Sequence, residues 1–278
     1  MPIKLMYITN RPEIALVAEQ AGVDRIFVDM ECIGKSERQP GDTVKNAHTV
    51  KDIKRIRNAV KKAELLVRCN PIHSQSKKYK SSKDEIDAII AAGAQIIMLP
   101  FFKTVEEVRE FVSLVNGRAK TLLLFETPES VALVDRILEI GGIDEVFIGL
   151  NDLSLGYGKR FMFEVLADGT VERLCLKFRQ ADIPFGFGGL ASLDKGLVPG
   201  KMVLKEHYRL GSTCVILSRS FCNSEKINDL NAIRQIFNSE VKRIRDFEDR
   251  CADHARYFHE NRESLTALIK GVAEGASV

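Results

Sequence analysis

Residues 121–154 read TLLLFETPES VALVDRILEI GGIDEVFIGL NDLS, and their order decides the fold. Thr121 to Glu126 is a continuous apolar run closed by a carboxylate, of the kind a parallel sheet buries on both faces. Pro128 starts a helix that carries Leu133, Val134, Ile137 and Leu138, and Gly141-Gly142 stops it. Glu145 to Gly149 reads as the next strand, ending at Asn151-Asp152. Two acidic side chains therefore emerge at the same end of adjacent parallel strands, the end at which α/β proteins build their sites. Two hard oxygen ligands facing one cleft, Glu126 and Asp152, with the rest of the shell left to water and substrate, describe a Mg²⁺- or Mn²⁺-type site. The blander possibility is that both carboxylates cap the helices that follow.

Working outward, the same alternation runs through the chain. Ile3–Ile8 reads as a strand, with Thr9 or Asn10 capping a helix that has Pro12 in its first turn and Gly22 past its end. Arg25–Asp29 is the second strand, His48–Lys62 a helix, and Glu64–Arg68 the third strand. Helices at Lys83–Ala92 and Val105–Val115 flank the strand Gln95–Leu99. Beyond Asp152, Gly169–Ala181 is helical, Pro184–Phe187 is the seventh strand, Lys201–Leu210 is helical, and Thr213–Leu217 is the eighth. Eight strands alternating with helices predict a closed (β/α)8 TIM barrel over residues 1–223. Residues 224–278 then form a C-terminal helical extension, the eighth helix plus one further helical stretch, with a loose tail from Gly271.

Bulk properties fit one large core. The chain has 278 residues and a formal net charge of +3, from 41 basic and 38 acidic residues spread along its length. That balance predicts neither nucleic-acid nor membrane binding. No apolar run approaches spanning length, and Met1-Pro-Ile-Lys lacks signal-peptide architecture. Six cysteines without CxxC spacing predict reduced thiols in a cytoplasmic protein.

Sorted by strand end, the polar residues gather at one mouth. Strand two supplies Asp29 and Glu31, strand three Arg68 and Asn70, strand five Glu126, strand six Asn151 and Asp152, and strand eight Ser218 and Arg219. Four carboxylates converging there are costly to bury unless a divalent cation and an anionic substrate compensate them. Arg68 suits a carboxylate or enolate oxygen through its planar fork, or a salt bridge to Asp29 or Glu31. Gly186-Phe187-Gly188-Gly189 lacks dinucleotide-fingerprint spacing and reads as a strand whose glycines admit substrate to the backbone.

Val28-Asp-Met-Glu31, Leu66-Val-Arg68, Phe125-Glu-Thr127 and Ile148-Gly-Leu-Asn-Asp-Leu153 occur in an order and spacing that resemble the HpcH/HpaI aldolase and citrate lyase beta-subunit family. The match spans roughly Ile3 to Phe221. The resemblance implies a (β/α)8 barrel whose eighth helix is often exchanged between subunits, in a homo-oligomer (trimer or hexamer). It implies metal ligands at Glu126 and Asp152 and a substrate-orienting arginine at Arg68. The metal would chelate an α-keto acid or the acyl carbonyl of a coenzyme A thioester.

The implied activity is a class II aldolase-type carbon–carbon lyase working through an enolate. Arg68 and the cation would meet the charge that develops on oxygen. Backbone N–H groups around Asn151-Asp152, with Asn70, would hold the substrate. A base must take the hydroxyl proton, and Glu31, Asp29 or a metal-bound hydroxide are the candidates. The chain departs from the pyruvate-aldolase pattern at three places: Cys32 replaces the histidine after the strand-two glutamate, Ala91 replaces its acidic partner, and Leu124 replaces a glutamine. Glu31 to Arg38, with Lys35 between them, has instead a distant look of the acidic loop in the acyl-CoA lyase branch (malyl-, citramalyl- or citryl-CoA type). A barrel without catalysis, serving as a binding subunit, is the rival from another class. Of the histidines, His48, His207, His254 and His259 are expected in helices. His73 is expected in a loop near the mouth.

Overall fold

A computed structural model describes residues 2–38, 46, 48–251 and 255–275, and its eight strands close into one barrel. In chain order the elements are β1 (Lys4–Ile8), α1 (Pro12–Gln20), β2 (Arg25–Asp29), α2 (Lys35–Arg38), α3 (Val50–Ala59), β3 (Glu64–Arg68), α4 (Ser82–Ala91) and β4 (Ile96–Leu99). They continue with α5 (Val105–Val115), β5 (Lys120–Phe125), α6 (Pro128–Ala132), α7 (Val134–Leu138), β6 (Glu145–Ile148), α8 (Leu150–Gly156), α9 (Glu164–Ala167) and α10 (Thr170–Gln180). The last are β7 (Phe185–Leu190), α11 (Gly200–Leu210), β8 (Cys214–Leu217), α12 (Leu230–Cys251) and α13 (Ala255–Ala273). Every strand pairs in parallel with its successor, and β8 pairs with β1. The expected (β/α)8 barrel is the one that forms.

The strands form where apolar runs are buried on both sides. Inward-facing Met6, Phe27, Leu66, Ile96, Met98, Leu122, Leu124, Phe147 and Cys214 fill the barrel. The alternate residues of each strand pack under the helices, as a parallel sheet requires. At the N-terminal end Arg25, fully buried, donates to both Glu145 oxygens at 2.6 Å and to Glu64 at 2.8 Å. A charge so deep is tolerated because its guanidinium fork is satisfied on both sides.

Several local expectations shift. The N-cap of α1 is Arg11, not Thr9 or Asn10; the Thr9 hydroxyl accepts the Arg11 N–H instead. His48 precedes α3, whose cap is Thr49 boxed with Asp52. The helix after β5 is two short ones, parted at Leu133, where ψ is 6°. β7 runs on to Leu190 through a register shift between Gly186 and Gly189. Gly188 sits inside that irregularity at φ +57° with Leu150 against its Cα, so only glycine fits.

At the C-terminus, α12 lies against α1 and α11, in the eighth-helix position of its own barrel. It buries Ile233, Phe237, Val241 and Ile244, and Phe237 meets Tyr7 and Phe221 edge-on. Covering that stripe therefore does not require a helix exchanged from another subunit. α13 packs on α9 and α11 and continues through Gly271 to Ala273, where a loose tail is expected from sequence. His254 lies outside the described residues. No helix among the described residues is long and apolar enough to cross a membrane.

Candidate active site

Glu126 stands one residue past β5, buried at the mouth with 4 % exposure. It does not cap α6; Thr127 does that, accepting the Ser130 N–H at 3.0 Å. Asp152 is not at the end of β6 but in the first turn of α8, whose N-cap Gly149 makes no side-chain bond. The capping alternative therefore fails for Glu126, whereas Asp152 does stand in the first turn of the helix that follows. Gly149 makes room for Glu126: a Cβ there would lie 2.9 Å from both the Cβ and Oε2 of Glu126.

Around this pair the mouth is built from ionic contacts. Arg68 donates from Nε and Nη2 to the two oxygens of Asp29, at 2.8 Å each. Lys35 Nζ reaches Asp29 Oδ2 at 2.8 Å and Asn46 Nδ2 reaches it at 2.9 Å. Glu31 Oε1 accepts from Arg38 Nη2. Its Oε2 is buried without a hydrogen-bond partner, though Arg68 Nη1 and Lys35 Nζ stand 3.4 and 3.5 Å away. Arg38 Nε lies 3.6 Å from Asp152 Oδ2. Asn151 Nδ2 donates to Asp152 Oδ1 at 3.0 Å.

These surroundings push the acids apart. Burial alone would raise the Asp29 carboxyl, but Arg68 and then Lys35 overcome it and hold Asp29 far below the usual carboxylate range. Burial, followed by the Glu31 charge, pushes Glu126 up to about 8, with Arg68 opposing and Asp152 adding. Glu126 thus lacks a cation that Asp29 has in excess.

Three spaces open from the mouth. A central pocket of about 200 Å³ is lined by Arg68, Glu126, Asp152, Gly188, Gly189 and Ser218, with Met98, Leu124 and Phe147 beneath. A cleft of about 510 Å³ continues past Glu126 and Asp152 to Arg38, Phe101 and Lys103. A third space of about 260 Å³ lies on the β1–β8 side, between Arg68 and Ser218 on one wall and Asn223 and Ser224 on the other.

The profile of the HpcH/HpaI aldolase/citrate lyase family matches residues 4–168. The chain belongs to that family. The crystal structure of an HpcH/HpaI aldolase from Desulfitobacterium hafniense DCB-2 superimposes with a TM-score of 0.59 at 19 % identity, covering 88 % of this chain and 93 % of that one. An HpcH/HpaI aldolase/citrate lyase family protein from Burkholderia cenocepacia J2315 gives 0.61 at 16 % identity, covering 86 % and 94 %. At such identities the two structures attest the fold. No curated protein matches the chain.

In this HpcH/HpaI chain the residues expected at the site divide into two groups. Glu126, Asp152, Arg68 and Asn151 share the central pocket, and Glu31 borders it through Arg68. Asp29 is a different matter. Its oxygens are taken by Arg68, Lys35, Asn46 and the Glu31 N–H, so it anchors cations and has no lone pair left for a substrate proton. Asn70 is likewise spent. Its Oδ1 accepts the Cys32 and Ile33 N–H groups, its amide donates to Glu85, and it lines none of the three spaces. His73 bonds the Pro71 and Lys80 carbonyls and ties its loop together. His207 is buried, stacked on Phe187.

Two residues at the mouth carry no sequence signal of their role. Phe101 adopts φ +49°, in the left-handed region a bulky side chain seldom enters. There its N–H donates to Glu126 Oε1 at 3.0 Å while its ring lies 3.8 Å from the Arg38 guanidinium. Arg38, noticed in sequence only as part of the acidic loop, thereby reaches both Glu31 and Asp152.

The donor set fits the divalent cation that the family implies. Among the described residues no three His, Cys, Asp or Glu side chains converge to enclose a metal. Two buried carboxylates at an open pocket match a hard cation that keeps water and substrate in its shell. The upward push on Glu126, from burial and then from the Glu31 and Asp152 charges, is the kind of cost that a bound cation would relieve.

Proposed function

We propose that this chain is a metal-dependent carbon–carbon lyase of the class II aldolase kind, acting on a small anionic keto or hydroxy acid. The observation that carries the proposal is the buried pair Glu126 and Asp152 sharing one pocket with Arg68, where burial and the Glu31 charge push Glu126 up to about 8. Glu126 and Asp152 would hold Mg²⁺ or Mn²⁺, which supplies electrophilic stabilisation of the enolate oxygen.

The chain's own residues perform the rest. Arg68 is locked by its two bonds to Asp29 and lines the pocket, where its charge would meet negative charge developing on the substrate. Fixing the guanidinium beforehand removes reorganisation at the moment of reaction. Glu31, whose Oε2 is buried behind Arg68 Nη1 at 3.4 Å, is the candidate base and would take the hydroxyl proton as the bond between the carbinol and α-carbons breaks. The bonding pair passes to the α-carbon and delocalises onto the carbonyl oxygen; protonation at carbon then releases the keto acid. Met98, Leu124 and Phe147 give the pocket an apolar floor. Cys32 is exposed and lies against Asn70; it takes no part in this scheme.

An acyl-CoA thioester is the second substrate class. It is favoured by the wide cleft beyond Glu126 and Asp152, larger than a keto acid needs. The proposal extends to a homo-oligomer in the cytoplasm with no nucleic-acid or membrane partner. A metal-dependent retro-aldol screen, run with keto-acid aldols and with malyl-type thioesters, tests the function. Cleavage that disappears on chelation supports it. No turnover with either class, despite bound metal, refutes it in favour of a binding subunit.

A further inference from the structure

The charges at the mouth do not balance, and Arg38 governs the imbalance. Asp29, Glu31, Glu126 and Asp152 are all buried. Against them, among the described residues, stand Lys35, Arg38 and Arg68. His48, which accepts the Asp29 N–H, adds no charge because burial lowers its pKa. With all four carboxylates ionised, as ligation of a cation requires, the formal sum is one negative. A divalent cation alone turns it into one positive, among side chains that are themselves buried. A divalent cation arriving with one carboxylate restores neutrality.

Among the three basic groups, Arg38 is the one within ion-pair distance of a metal carboxylate, while Arg68 opposes the rise of Glu126 from beyond that distance. Lys35 and Arg68 are committed to Asp29 at 2.8 Å. Arg38 stands 3.6 Å from Asp152 and shares a cleft wall with Glu126. Three contacts keep it there: Glu31, the Ile33 carbonyl at 3.3 Å and the Phe101 ring at 3.8 Å. Phe101 is itself pinned by Glu126 in its left-handed conformation. Yet the Arg38 Nε–H is buried without a hydrogen-bond partner, so its contact with Asp152 is charge against charge and no more. A fixed cation held this way opposes a second cation at the same carboxylate.

We propose that Arg38 is a positioning residue that makes binding of the divalent cation depend on the anionic substrate. The cation alone meets Arg38 uncompensated, whereas the cation with a keto-acid carboxylate does not. The inference rests on the metal-lyase function above and adds an order to it: cation and substrate bind with positive coupling, and removing Arg38 loosens that coupling while strengthening the cation. A merely structural role predicts the opposite, since damage to a metal site weakens it.

Enzyme freed of metal by chelation and dialysis is titrated calorimetrically with Mn²⁺, alone and with saturating pyruvate. Arg38→Met should bind Mn²⁺ alone about tenfold more tightly than the wild type, and pyruvate should tighten Mn²⁺ about tenfold in the wild type but under about threefold in the variant. Arg38→Lys, which keeps the charge, should follow the wild type. Arg38→Gln serves the same comparison should Arg38→Met not fold. Equal or weaker Mn²⁺ binding in the neutral variants, or no pyruvate effect in the wild type, overturns the inference while leaving the lyase standing. No Mn²⁺ binding to the wild type under either condition overturns both.

Discussion

Glu126→Gln removes the mouth carboxylate that folding drives toward its protonated form. Burial and the Glu31 charge raise it from 4.5 to about 8. An acid raised on folding holds its proton longer in the folded chain than in the unfolded one. Its cost is therefore absent below pH 4.5, grows as pH rises through the range above it, and is complete above pH 8. At about 1.4 kcal/mol per unit, the metal-free protein forgoes about 3 kcal/mol at pH 7 and about 5 kcal/mol above pH 8. Gln is neutral throughout and its amide oxygen keeps the bond from the Phe101 N–H. In a chelator, urea denaturation should find Glu126→Gln more stable than the wild type by about 3 kcal/mol at pH 7 and indistinguishable near pH 4.5. Added Mg²⁺ at about a hundredfold its Kd should stabilise the wild type by about 2.7 kcal/mol and leave the variant unmoved. A variant less stable than the wild type at pH 7 in chelator, or one that Mg²⁺ stabilises equally, would refute the assignment of Glu126 as a cation ligand lacking compensation.

Two further outcomes follow from the geometry. Glu31→Gln should lower turnover about a hundredfold or more, as loss of a general base does, while Cys32→Ala keeps most activity; steady-state kinetics that reverse this order would make the thiol the working group. Ending the chain at Asn223 removes α12 and uncovers the α1 face on which Ile233, Phe237, Val241 and Ile244 are buried. At about 1.5–3 kcal/mol per side chain, the shortened chain should be insoluble or fail to reach the full chain's size in gel filtration. A soluble truncated protein of native assembly size would show that the barrel stands without its extension.

What sequence could supply and what it could not divide along a physical line. A parallel strand buried on both faces is a local property, so Arg25–Asp29 and Glu64–Arg68 are legible to the residue. Glu126 is legible too, because it follows directly on such a run. Asp152 is legible both as a mouth residue and as part of the start of the helix that follows β6, which the structure gives as α8. Asp29 and Asn70 sit where sequence places them yet do other work. Position along a strand says which end a side chain reaches, and says nothing of which cations or amides reach it first. Asp29 is claimed by Lys35 from six residues on and by Arg68 from the next strand.

Phe101 and Arg38 show the same limit from the other side. The φ of +49° at Phe101 has no composition signature, because glycine or asparagine would announce such a turn and phenylalanine does not. Its backbone is held there by what it touches, Glu126 through the N–H and Arg38 through the ring. A strained residue at a mouth of buried charges is a cost that packing alone does not recover. It is offset if the cluster it organises has a task, and the task its contacts define is electrostatic. One contact fixes a carboxylate that lacks a cation, and the other fixes a cation that lacks a hydrogen-bond partner at Nε. On the proposed function, holding those two groups beside one pocket would keep the site ready for a cation and an anion together, the pair that bond cleavage next to a carbonyl requires.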